Sequence, residues 1–189
     1  MLVNESTQTV RASAFMMEAG LVCVIWVALF MANDELFSVM KINSFVSWIF
    51  LPAALRMIAV MILEWSAVVG LFVGAMMTSR WLNVADLLDC IPLAIISALC
   101  PLLAVRFCRF WLRLNTSLAG LTSAQLGFFA LTGALFNAIP SQLYLHFVLR
   151  DQSSLNAVVP MIIGDLVGTL AVLYLASWGL KVLSSRRWM

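Results

Sequence analysis

An ionisable side chain inside an apolar run costs a few kcal/mol at the centre of a membrane span unless it is paired or hydrated. Glu18, Arg56 and Asp165 stand in such runs and are where this chain could do chemistry. By helical rise, Arg56 is expected about 16 Å and Asp165 about 12 Å from the outer ends of their helices. Those depths match, so the two are expected to pair. Glu18, in the inner half of the first apolar run and about 5 Å short along the normal, is the alternative partner. The pair reads either as a structural ion pair that fixes helix register or as part of a binding site. Leu51-Pro52 precedes Arg56 by one turn. Proline suits the first turn of a helix. A backbone break there would open a helix N-terminus whose N–H groups, beside a guanidinium, bind anions. The plain alternative is a proline kink.

The same half of the chain's apolar runs carries Asn137, Gln142 and His146. With Arg56, Asp165 and Glu18 they form the candidate ligand site. It is expected to open outward, with Arg56 at its base, and to suit a small ligand bearing an anionic or carbonyl group. No catalytic or metal-ligating set emerges. A single histidine excludes two-histidine metal sites, and no G-x-S-x-G or P-loop is present. Asp86 and Asp89 form D-x-x-D at the start of a run, where carboxylates complement a helix dipole. Cys23, Cys90, Cys100 and Cys108 show no ligand spacing and read as small hydrophobes. The chain is expected to be no enzyme and to need no cofactor.

The elements that must position these residues follow from composition. Of 189 residues 63% are hydrophobic and 11% charged, with a formal charge of +2. A soluble domain has roughly 25% charged residues to cover its surface, so the chain is expected to be an integral membrane protein. That excludes a nucleic-acid-binding module, a disordered regulator and a disulfide scaffold. Six apolar runs, 12–32, 45–63, 65–77, 87–105, 121–139 and 157–178, have helical lengths, and helices satisfy their own backbone in lipid. The expected fold is an all-α bundle of about six transmembrane helices forming one domain over 1–189. One helix, at 65–77, is short, and one is interrupted by Pro52. Residues 1–12 are read as a polar tail and 179–189 as a basic one. The stretch 140–149 would over-lengthen the fifth helix, so Pro140 is expected to turn it onto the outer surface or into a re-entrant position.

Placement of Lys and Arg orients the bundle. Arg11, Arg106, Arg109, Arg113, Lys181, Arg186 and Arg187 fall on one side, against Lys41, Arg80 and Arg150 on the other. Seven against three puts both termini in the cytoplasm. Trp65, Trp81, Trp111 and Trp178 mark span ends. Arg106, Arg109 and Arg113 share a helix face and are expected to meet anionic lipid headgroups, or to dock a protein. Gly70–Gly74 and Gly164–Gly168 are G-x-x-x-G patterns, expected to let a neighbouring helix approach within the bundle or in an oligomer.

The segment FLPAALRMIAVMILEWSAVVGLFVGAMM (50–77) resembles the early helices of bacterial membrane-associated sensor domains, and IIGDLVGTLAVLYL (162–175) resembles their late helix with its Asp-x-x-Gly step, here Asp165 and Gly168. The resemblance implies a stand-alone sensor domain without an output domain in the bacterial inner membrane. Its partners would be lipids and a small ligand or a membrane protein, with no nucleic acid. In architecture the chain is also similar to the substrate-binding subunits of energy-coupling-factor vitamin transporters. An accessory subunit of a larger membrane complex is the third expectation.

Overall fold

A computed structural model describes residues 2–42, 46–79, 87–112 and 122–186. The expectations placed on Arg80, Trp81, Asp86, Arg113 and Arg187 lie outside them. The described residues form an all-α bundle of α1 (Leu2–Leu36), α2 (Pro52–Leu63), α3 (Trp65–Ser79), α4 (Leu87–Leu112), α5 (Ser123–Phe147) and α6 (Val158–Arg186). Single 3-10 turns lie at Ser38–Met40 and Leu155–Ala157. Four helical stretches are long and apolar enough to cross a membrane, at Val10–Leu36, Leu88–Leu112, Ser123–Phe147 and Leu155–Leu175. Many large apolar side chains, among them Val24, Met31, Leu103 and Leu175, face outward. This is the architecture of a membrane protein.

The short elements are α2 and α3, about 18 and 22 Å long at 1.5 Å per residue. The apolar run 45–63 is not one helix. Its described part, 46–51, is non-helical, and α2 begins only at Pro52. The non-helical stretch is held by its own partners. Phe50 N–H donates to the Gly164 carbonyl at 3.1 Å, and Trp48 N–H to the Met40 carbonyl at 3.1 Å. Leu51 N–H donates to Asn33 Oδ1 at 2.9 Å. Irregular backbone inside a membrane bundle persists only where protein or a cavity surrounds it, and here α6 and α1 do so. At the other end α2 stops at Glu64, whose positive φ of 48° reverses the chain directly into α3.

The two G-x-x-x-G patterns seat different things. A methyl at Gly70 would meet Ala19 and Val22, and one at Gly74 would meet Trp26, so α1 lies along α3 in the expected helix-on-helix manner. Methyls at Gly164 and Gly168 would strike the carbonyls of Ser47 and Phe50. That notch on α6 accommodates non-helical backbone, not a helix or a second copy. Val22, Trp26, Met57, Val60, Leu71, Leu102, Val105 and Phe129 form the core around which α1–α5 pack.

Several boundaries differ from the sequence reading. The α1 backbone is helical from Leu2, so the polar stretch 2–12 continues the first helix, and α6 carries through to Arg186 where a tail was expected from 179. Helix α5 runs unbroken through Pro140 to Phe147. The proline loses one backbone bond, but the face Ala130, Ala134, Asn137, Ser141 and Leu145 stays buried along its whole length. That burial holds the helix where propensity alone would end it. At its start, Thr122 Oγ1 accepts from Gln125 N–H at 3.3 Å while the Gln125 side chain accepts from Thr122 N–H at 2.9 Å, a closed capping box.

Candidate functional site

Arg56 sits on the second turn of α2 and Asp165 on the third turn of α6, brought together because 46–51 is clamped against Gly164 and Gly168. Arg56 Nη2 donates to both Asp165 oxygens at 2.8 Å. Asn137 Nδ2, from α5, donates to Asp165 Oδ2 at 2.9 Å. Thr169 Oγ1 bonds the Asp165 backbone carbonyl at 2.7 Å. The guanidinium lies between two rings, its carbon 5.8 Å from the centroid of Trp26 and 5.3 Å from that of Phe50. Aromatic faces favour a cation more strongly where it is desolvated, and this guanidinium is buried. Both charged side chains are almost fully buried, so each carries the other's desolvation cost.

A cavity of about 130 Å³ lies on one side of this pair. Trp26, Phe30 and Phe50 wall it, Ser97, Asn137, Ser141 and Gln142 supply polar groups, and Arg56 and Asp165 form its deep end. Its lining reaches the bundle end where Asp34 and Lys41, both substantially exposed, form an ion pair. A second void of about 10 Å³ is lined by Ala53, Met57, Pro101 and Gly133 together with Arg56 and Asp165. The ion pair therefore borders both spaces.

Four of the six candidate residues, Arg56, Asp165, Asn137 and Gln142, converge on the cavity. His146 does not line it. Its Nδ1 lies 3.3 Å from the Asp151 carbonyl and its ring packs edge-on to Phe147. Glu18 is not the partner of Arg56 either. It accepts from Ser66 Oγ at 2.6 Å, next to the α2–α3 turn and one turn below the Gly70 contact with α1. Its distance along the normal decides this, since α1 and α3 lie in parallel register. The anion cradle at the start of α2 is also absent. Pro52 has no N–H, and those of Ala53 and Ala54 are already donated to Phe50 and Leu51 carbonyls at 3.2 Å. The backbone breaks where proline places it, but the break closes its own donors.

Sequence reading missed Asn33, Trp26 and Thr78. Asn33 caps the break through Leu51, and Trp26 Nε1 donates to Thr78 Oγ1 at 3.2 Å across the cavity wall. A polar residue near the end of an apolar run was the only available signal for Asn33. The arginines of α4, expected to meet lipid headgroups or to dock a protein, also have partners within the chain. Arg109 donates to Glu64 Oε1 at 2.8 Å and to the Met61 carbonyl at 2.9 Å, while the Arg106 guanidinium lies over Trp65. Both brace the α2–α3 turn.

Comparison with family models, with curated proteins and with solved structures finds no match to this chain.

Proposed function

We propose that the chain is a non-enzymatic membrane module that binds a small ligand in the cavity above Arg56, in the manner of a stand-alone membrane sensor domain. The observation that carries this reading is a continuous lined space. It runs from the exposed Asp34–Lys41 pair down to a buried Arg56–Asp165 pair already held by Asn137. Intramembrane charges facing a cavity mark functional sites more often than lipid-facing or sealed ones do. In a bacterial inner membrane, the end carrying Arg11, Arg106 and Arg109 lies in the cytoplasm with both termini, and the cavity faces outward.

One observation favours a second reading, the substrate-binding subunit of a transporter. The second void that the ion pair borders lies beside Pro101, which supplies no backbone N–H to α4. In this reading, parting of Arg56 from Asp165 opens a path between the two spaces that both residues line.

Cys90 lines the cavity and serves as its reporter. In a chain with Cys23, Cys100 and Cys108 replaced by Ala, a membrane-impermeant methanethiosulfonate added to intact cells is expected to label Cys90. Labelling only in inverted vesicles would reverse the orientation. Labelling in neither would reject the open cavity and leave the accessory-subunit reading ahead.

A further inference from the structure

We infer that the cavity takes a neutral small molecule that donates hydrogen bonds, of the primary carboxamide type, and not an anion. This rests on the proposal that the cavity is a ligand site and specifies what that site accepts. The first argument is charge. Among the described residues the charged groups lining the cavity are Arg56, Asp165, Asp34 and Lys41, and they form two ion pairs, one at the deep end and one at the mouth. Nη2 of Arg56 is engaged by both Asp165 oxygens. Among the described residues, an anion entering this space would find no unbalanced positive charge and would lie beside the Asp165 carboxylate. Burying an uncompensated charge is far more costly than burying a hydrogen-bonded neutral group.

The second argument is the polarity of what is left over. Asn137 Oδ1 and Gln142 Oε1 are buried and without a hydrogen-bond partner among the described residues. The orientation of the Asn137 amide is dictated by its neighbour. Its Nδ2 must face Asp165 Oδ2, since reversing the amide would set a carbonyl against a carboxylate. The group left bare is therefore an acceptor. Gln142 likewise turns its Nε2 to Met161 Sδ at 3.0 Å, leaving its carbonyl bare. The two stand one and a half turns apart on α5, and both belong to residues that line the cavity. A buried acceptor without a donor is a standing cost that a ligand N–H removes.

The third argument is size and wall. A cavity of about 130 Å³ is near the roughly 150 Å³ that holds a benzene ring. Trp26, Phe30 and Phe50 suit a flat apolar body. A single small ring or an equivalent group, bearing a carboxamide or similar N–H donor, meets all three conditions.

Benzamide, acetophenone and benzoate share one shape, with nine heavy atoms each. The first is neutral with donors, the second neutral without, and the third an anion. Their binding is read as slowing of Cys90 modification in the single-cysteine chain reconstituted in nanodiscs. Benzamide is expected to protect at about tenfold lower concentration than acetophenone, and benzoate to protect least. Gln142→Leu is expected to bring benzamide close to acetophenone. Its folding is checked by the unchanged protection that acetophenone gives. Strongest protection by benzoate, or equal protection by acetophenone and benzamide, would overturn the inference while leaving the cavity as a ligand site. No protection by any probe on a Cys90 that labels readily would overturn it too. A Cys90 that never labels would instead bring down the ligand-site reading itself.

Discussion

Among the described residues two arginine–carboxylate pairs hold this bundle, and their shortest contacts are the same length, 2.8 Å for Arg56–Asp165 and 2.8 Å for Arg109–Glu64. Their surroundings differ. The side chains of Arg56 and Asp165 are 5% and 3% exposed, those of Arg109 and Glu64 24% and 54%. The first pair is enclosed by two rings and an amide at the deep end of the cavity. The second sits at the surface, over a turn that needs a positive φ. Distance alone does not rank ion pairs. What ranks them is how much each loses when its partner is removed, and that loss grows as water is excluded. The Glu64 carboxyl is held below its usual range first by its hydrogen bond from Arg109, then by the charge of that guanidinium, with Arg106 adding to it.

The largest effect is expected at the buried pair. Arg56→Ala or Asp165→Ala alone leaves an uncompensated buried charge and should destabilise by about 3–5 kcal/mol. The double substitution should recover much of that loss. Thermal unfolding in mild detergent, run as a double-mutant cycle, measures the coupling, and strictly additive losses would show that the two sites do not act as a pair.

The next effect tests what brings the buried pair together. Gly168→Ala would drive a methyl into the Phe50 carbonyl and should cost about 1–3 kcal/mol. Gly20→Ala, on an α1 face with nothing within 4 Å, should leave stability equal or raise it. Equal tolerance of the two changes would mean that 46–51 is not clamped on α6.

The smallest effect is expected at the surface pair. Glu64→Gln should scarcely move the unfolding temperature at pH 7 in salt, because the exposed pair is screened. Its sign with pH is definite. A carboxyl whose folded pKa is lowered stabilises above its unfolded pKa, and loses that contribution as pH falls through the folded value. Wild type and Glu64→Gln should therefore converge as pH falls below the ordinary carboxylate range. Glu64→Gly also loses the pair, but relieves the positive φ and should be at least as stable as Glu64→Gln. A large loss in Glu64→Gln at pH 7 would erase the contrast between the two pairs.

Much of the candidate site was legible before the fold. Equal depth along two helices was enough to join Arg56 to Asp165, because a charge in lipid must find its counter-charge at the same level. Asn137 and Gln142 were legible as polar residues in the outer half. Depth already set Glu18 apart from the pair, and it lies level with Ser66 instead. Depth placed His146 near the site but leaves the angle around the bundle open, and the end of α5 turns its ring toward Asp151. The Arg109–Glu64 pair was invisible, since nothing in the spacing of α4 says which turn lies beneath it.

By itself the sequence determined the helical class, the run of apolar elements, the break before Pro52 and the need to neutralise Arg56. These depend on hydropathy and on backbone chemistry, which act within one segment. Only the tertiary structure decided that the Gly164–Gly168 notch seats non-helical backbone, that the N–H groups after Pro52 are already satisfied, and that two amide carbonyls of cavity-lining residues on α5 find no partner among the described residues. Each of those is a contact, or a missing contact, between segments far apart in the chain. Whether a polar group finds a partner depends on the few ångströms that packing sets, and no local pattern carries that distance.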